Sequence, residues 1–234
     1  MVLNADMAIC DSKNIEKYIL ETYPTMKNKT TYIAYGADVS KSNCTEESLE
    51  KWYTKYDLKK NNYYLIVGRF VPENNYETII SEFMKSDTEK SLVIISNVEK
   101  NKFYAQLKET TNFESDGRIK FVGTVYDREL LKKIREEAFA YIHGHEVGGT
   151  NPSLLEALAS TKLNLLLDVG FNREVAEDTA LYWDKKEHYL SGLINIDEDL
   201  SEEYIMDFDV KSTKQVEKKF NWNIICEEYE RKFL

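Results

Sequence analysis

Eight short apolar runs punctuate the chain, and most end at a glycine or a polar cluster before a helix-like stretch begins. They are Met7–Cys10, Thr31–Tyr35, Tyr63–Val67, Leu92–Ile95, Ile119–Val122, Phe139–Ile142, Leu163–Leu167 and Ala180–Trp183. Between them, apolar residues recur at helical spacing, which predicts helices over 75–85, 100–110, 127–137 and 152–160. A first helix follows Asp11-Ser12-Lys13-Asn14, carries Ile15, Tyr18, Ile19 and Tyr23 on one face, and ends near Pro24. Strands that are apolar throughout, each followed by a helix, predict an α/β fold with a parallel sheet covered on both faces. The polar stretch 40–62 reads as a connection. The tail 212–234 reads as one or two helices, with Val216, Phe220, Trp222, Ile225, Tyr229 and Phe233 as the apolar positions.

The 234 residues hold 31 Lys plus Arg against 41 Asp plus Glu, a formal charge of -10. A field of that sign repels phosphate backbones, so binding of nucleic acid by the bulk surface is excluded, while a local positive pocket for one small phosphate ligand is not. Cys10, Cys44 and Cys226 are odd in number and far apart, neither a disulfide framework nor a metal cluster, and suit a reducing cytoplasm. No apolar run is long enough to span a membrane. Asp6, Asp11 and Glu16 argue against a signal peptide.

In an open α/β sheet, ligands bind beyond the carboxyl ends of the strands, so the residues after each strand carry the chemistry. Gly68-Arg69 follows one strand, and Arg offers a planar fork for phosphate oxygens. Ser96-Asn97 follows another. Gly123-Thr124-Val125-Tyr126-Asp127 follows a third, with Asp127 a candidate N-cap. The most informative segment is His143-Gly144-His145-Glu146-Val147-Gly148-Gly149-Thr150-Asn151-Pro152-Ser153-Leu154-Leu155-Glu156-Ala157-Leu158. Here a strand runs into a glycine loop and then a helix whose first turn holds Pro152, with Thr150 or Asn151 placed to cap it. Backbone N–H groups at such a helix start favour an anion. Glu156, one turn inside, calls for a ligand hydroxyl or a protein donor as partner.

These segments, in their order and separation, resemble the donor-binding half of retaining glycosyltransferases with two Rossmann-like domains, the GT-B architecture, family 4 (glycosyl transferases group 1). The stretch Ile142 to Pro152 is most similar to bacterial rhamnosyltransferases that build capsular and cell-wall polysaccharides. The resemblance implies a Rossmann-like parallel sheet, one half of a GT-B fold. It also implies a dTDP- or UDP-linked sugar as substrate, no further cofactor, no metal, and transfer to a lipid-linked saccharide held by an acceptor domain. It places Gly68, Arg69, Asn74, Asn97, Thr124, Val125, Tyr126, Gly148, Gly149, Thr150, Asn151 and Glu156 around the donor, with Glu146 and His145 as the catalytic pair. Residues 1–38 resemble only the last β-α-β of an acceptor domain, 39–211 the nucleotide-sugar domain, and 212–234 the helix that crosses back. The expectation is therefore a fragment or one partner of a split enzyme, cytoplasmic, working at the inner face of the membrane with only indirect membrane contact. Two departures stand out. The family's usual pair of Glu, seven residues apart, meets Gly148 at its first position, which leaves Glu146 as the candidate substitute. The Lys that often follows the Arg by five residues is Asn74 here.

Several other signals are set aside. His143, His145 and Glu146 have a metal-like look, but a strand-end His-x-His of this kind reads better as a polar site or a capped turn. Asp207-Phe208-Asp209 and Asp197-Glu198-Asp199 match an Asp-x-Asp pattern that 41 acidic residues produce by chance. Trp183 and Trp222 read as core. Two other functions stay open: a non-catalytic nucleotide-sugar-binding module that needs a partner chain, and a Rossmann-type oxidoreductase. The absence of G-x-G-x-x-G weakens the latter.

Overall fold

The computed structural model describes residues 2–98, 102–197 and 199–233. The chain begins with β1 (Ala8–Cys10), α1 (Lys13–Thr22) and β2 (Thr30–Tyr32), and then α2 (Glu46–Tyr56). Next come β3 (Tyr63–Val67), α3 (Tyr76–Lys85), β4 (Ser91–Ile95), α4 (Lys102–Thr111), β5 (Ile119–Gly123) and α5 (Arg128–Glu136). The second half holds β6 (Ala140–His143), α6 (Pro152–Ser160), β7 (Asn164–Leu167), α7 (Gly170–Ala176) and β8 (Leu181–Trp183). It closes with α8 (Leu190–Asp197), α9 (Glu202–Lys219) and α10 (Trp222–Phe233). Lys100 and Asn101, which the helical pattern includes, and Glu198 of the acidic triplet lie outside the described residues, as does Leu234.

Strands β3 to β8 form one parallel sheet in the order β5-β4-β3-β6-β7-β8. The chain winds outward from β3 to β5 and then returns to lay β6 against the other side of β3. That reversal leaves a crevice at the carboxyl ends of β3 and β6, the position where open α/β sheets bind ligands. Side chains on successive strand residues point to opposite faces, and here both faces are buried. Tyr64, Ile66, Leu92 and Ile94 pack with Ile79, Ile80 and Phe83 of α3 on one side. Tyr63, Leu65 and Val93 pack with Trp52 of α2 and Ile134 of α5 on the other. Tyr63 satisfies its buried hydroxyl by donating to the Ile134 carbonyl at 2.6 Å.

Strands β1 and β2 pair only with each other, also in parallel. Hydrogen bonds tie this N-terminal stretch to the helices of the main sheet. Glu174 of α7 accepts from the Ser12 hydroxyl at 3.0 Å, the Lys13 amide at 2.8 Å and the Asn14 side chain at 2.6 Å, so it helps to cap α1. Ala37 donates its amide to the Phe220 carbonyl at 2.7 Å, beside a single parallel bridge from Ala37 to Asn221.

Three sequence expectations are corrected. The stretch 40–62 is not merely a connection: Thr45 caps α2, and Leu49, Trp52 and Tyr53 bury one face of that helix. The boundary at 212 falls inside α9, which starts ten residues earlier under the Ser201 cap. Trp183 is fully buried, but Trp222 is 49% exposed and lies flat against Gly36, where an added Cβ would stand 2.5 Å from the ring. Among the described residues no helix is long and apolar enough to cross a membrane.

Candidate active site

A cavity of about 190 Å³ opens in the crevice between β3 and β6. Ile66, Val67, Gly68 and Arg69 come from the end of β3, Tyr141, Ile142, His143, Gly144 and His145 from the end of β6, Asn74 and Tyr76 from the start of α3, and Asn151 and Ser153 from the start of α6. Each group arrives there because parallel strands deliver their carboxyl ends to one edge and send the next helix back from it.

The start of α6 is held firmly. The Asn151 side chain caps the helix by accepting from the Ser153 amide at 2.9 Å, which leaves Pro152 at the first turn where it displaces no hydrogen bond. The Ser153 hydroxyl donates to the Val67 carbonyl at 2.9 Å, tying α6 to the end of β3. Thr150 donates both its amide and its hydroxyl to the Asp11 carbonyl, so the small β1–β2 unit fixes the loop before α6. A Cβ at Gly149 would meet the Asp11 carboxylate, a side-chain end that would have to turn aside. Gly144 is more tightly constrained, since a Cβ there would meet the Asn74 backbone carbonyl at 2.5 Å. The positive end of α6, together with Arg69, gives this acidic protein a local place for an anion.

Asn74 bridges the two halves of the crevice. Its amide nitrogen donates to the Arg69 carbonyl at 2.6 Å, and its oxygen lies 2.8 Å from His145 Nδ1. Burial lowers the His145 pKa, and the nearby Arg69 charge lowers it further. Glu146 stands apart from the residues that line the cavity. Its carboxylate accepts from Lys185 at 2.7 Å and Asn75 at 3.1 Å, and these bonds hold it below the usual carboxylate range.

A second hollow, of about 530 Å³, continues past Gly68 and Arg69 to Asn97, Thr124 and Val125. A third, of about 480 Å³, lies between α5 and α6 and takes in Glu156, Arg135, Leu131, Asp38 and Trp222. The structure thus gathers Gly68, Arg69, Asn74 and Asn151 in one cavity and Asn97, Thr124 and Val125 in the next. Tyr126, at 86% exposed, projects into solvent. Glu156 is half-exposed rather than buried, and its partner is a protein donor: Arg135, nearly buried, reaches it at 2.5 Å. His143, Tyr141, Ser153 and Tyr76 were not among the site residues expected. The signal for the first two was present, since both sit at the carboxyl end of a strand. Among the described residues no three His, Cys, Asp or Glu side chains come together as a set for a metal ion.

Known proteins resemble this arrangement. The family model for Glycosyl transferases group 1 matches residues 50–192, and a domain of unknown function, DUF1972, matches residues 1–38. A search of curated proteins finds no match. Among solved structures, a glycosyltransferase from Rickettsia africae superposes with a TM-score of 0.85 at 18% identity, over 97% of this chain and 62% of that one. HepE from Anabaena, crystallised with UDP, gives a TM-score of 0.80 at 14% identity, over 98% and 64%. Sucrose-phosphate synthase from Thermosynechococcus elongatus gives 0.77 at 17% identity, over 98% and 58%. The chain spans less than two thirds of the length of each. These likenesses show the fold, a helix-flanked parallel sheet that matches one half of a GT-B glycosyltransferase. The family match covers more than half of the residues, including every strand that lines the cavity, and on that ground the chain belongs to the glycosyl transferases group 1 family.

Proposed function

We propose that this chain is the donor-binding half of a retaining, metal-independent glycosyltransferase. The observation that carries the proposal is the cavity where β3 meets β6, with Arg69 on one wall and the capped start of α6 on the other. When a sugar leaves a nucleoside diphosphate, negative charge grows on the diphosphate, and groups already oriented towards it lower the barrier. Arg69 is such a group, and the positive end of α6 adds to it. The hollow at Asn97, Thr124 and Val125 is large enough for a base, and the resemblance assigns the ribose diol to Glu156, which lines the separate hollow between α5 and α6. His145, kept neutral by burial, is the side chain within the cavity suited to contact the sugar. Glu146, locked by Lys185, acts in this proposal by holding the loop through Asn75.

The finer assignments rest on the resemblance of Ile142 to Pro152. They are rhamnosyl transfer from dTDP-rhamnose, a lipid-linked saccharide acceptor, bacterial surface polysaccharide synthesis, and a cytoplasmic site of action at the membrane's inner face. HepE was crystallised with UDP and with UDP-glucose, which supports a nucleotide sugar as the ligand class. Calorimetric titration with UDP, dTDP and their sugars tests the proposal. Binding of one diphosphate that is unaltered by EDTA is the expected result, and failure of both to bind sinks it. A second reading, donor binding without transfer by this chain alone, is favoured by one fact: the similar structures are more than half as long again.

A further inference from the structure

His143 is the last residue of β6 and lines the cavity, although it is only 5% exposed. Its Nε2 has no hydrogen-bond partner. A polar nitrogen buried without a partner is costly, and such atoms in folded proteins need a reason. Burial, with His145 beside it, pushes the His143 pKa down to about 3, so the ring is neutral at physiological pH and carries one N–H.

Which nitrogen carries that proton depends on the other side of the ring. His143 Nδ1 lies 3.5 Å from the Tyr141 hydroxyl. That hydroxyl is also 3.1 Å from the Val67 carbonyl and 3.0 Å from the Ser153 hydroxyl. Ser153 donates to the same Val67 carbonyl at 2.9 Å, so the carbonyl stays satisfied when Tyr141 turns its proton towards Nδ1. Nδ1 then accepts, and Nε2 carries an N–H that has no partner within the protein.

We propose that His143 is an uncharged hydrogen-bond donor to a phosphate oxygen of the bound nucleoside diphosphate, with Tyr141 as the positioning residue that sets its tautomer. This rests on the donor-binding function proposed above. It answers a shortage within the cavity. Five residues after Arg69 stands Asn74, whose side chain is engaged with the Arg69 carbonyl and His145, so it brings no second cation. A diphosphate has more oxygens than one guanidinium satisfies, and a neutral imidazole supplies a directed donor without the desolvation that a buried charge would require.

The chain has three histidines, so imidazole ¹⁵N spectra of the wild type are tractable. His143 is expected to stay protonated at Nε2 and not to titrate between about pH 5 and 8, and its Nε2–H resonance should shift on addition of UDP. In calorimetry, His143→Phe should weaken UDP binding about tenfold and leave uridine binding unchanged. His143→Gln, whose amide nitrogen reaches the place of Nε2, should keep UDP affinity within about threefold of wild type. Tyr141→Phe should shift the His143 tautomer population in the same spectra. Should His143→Phe fail to fold, the wild-type spectra decide alone. An unmoved His143 resonance, unchanged UDP affinity in His143→Phe, or equal losses for UDP and uridine would overturn the proposal while the donor-binding function stands. A wild type that binds neither UDP nor dTDP would overturn both.

Discussion

Arg135 and Glu156 are 21 residues apart in sequence, yet their side chains meet at 2.5 Å across the α5–α6 contact. Arg135 is 5% exposed and Glu156 52%, so the pair has one buried end and one wet end. Removing the carboxylate strands a buried guanidinium, which makes Glu156→Ala a poor probe of ligand binding. Glu156→Gln keeps a hydrogen-bond acceptor for Arg135. It is expected to melt within a few degrees of wild type and to weaken UDP by on the order of 1–3 kcal/mol, since a charged acceptor for the ribose is lost. Calorimetry beside a melting curve separates the two effects. Sequence alone exposed Glu156 as a carboxylate in need of a partner, but not which partner, because that depends on how two helices pack. Arg69 was legible for the opposite reason: its place is set by the strand just before it. A second residue-scale consequence concerns acid. Burial raises the Glu137 pKa, but the bonds from Lys60 and Lys133 outweigh it and hold the group below its ordinary 4.5. A depressed carboxylate stabilises the fold above its unfolded pKa and ceases to do so as pH falls through the folded value. The melting temperature should therefore drop below about pH 4.5, and less steeply in Glu137→Gln, as a pH series of melts would show.

At the scale of elements, α6 couples stability to the site. Its cap is a single side chain, Asn151, and loss of that cap in Asn151→Ala should cost about 1 kcal/mol in chemical denaturation. The same change loosens the start of α6, where Asn151 and Ser153 line the cavity, so UDP affinity should fall with it, and a stability loss without an affinity loss would separate the helix from the ligand. Pro152 and the glycine loop made this element readable in sequence, and the helix runs over 152–160 as predicted. Helix α2 was not readable. Eight of its eleven residues are polar or half-exposed, and its burial hangs on Leu49, Trp52 and Tyr53, a stripe too short to distinguish from a charged linker. Trp52 packs against Tyr53, Tyr56 and Tyr63, so Trp52→Ala should destabilise the fold by on the order of 3–5 kcal/mol, measured by denaturation. Helix α9 was cut short in sequence for a related reason. Its buried positions Phe208, Ser212 and Val216 include a serine at the centre, which breaks the apolar count where the helix continues.

The molecule as a whole is a covered parallel sheet with a small β1–β2 unit clamped to it by Glu174 and Asp11. The strands and their parallel sense were legible because fully buried strands are apolar on both faces, whereas their order in the sheet was not. The docking of the small unit was not, since it rests on backbone carbonyls and one distant carboxylate. Trp222, Tyr229 and Phe233 of α10 are exposed, so self-association at high concentration is expected, and light scattering checks it. Because sugar transfer needs an acceptor held and oriented against the donor sugar, the chain is expected to bind a nucleotide yet turn over little or no sugar alone. The central claim is that the crevice between β3 and β6 holds a diphosphate. Its most direct test is calorimetry of wild type and Arg69→Ala with UDP, dTDP, uridine and thymidine. A diphosphate that binds the wild type and loses far more affinity than its nucleoside in Arg69→Ala is the predicted result. No diphosphate binding, or equal losses for diphosphate and nucleoside, would contradict it.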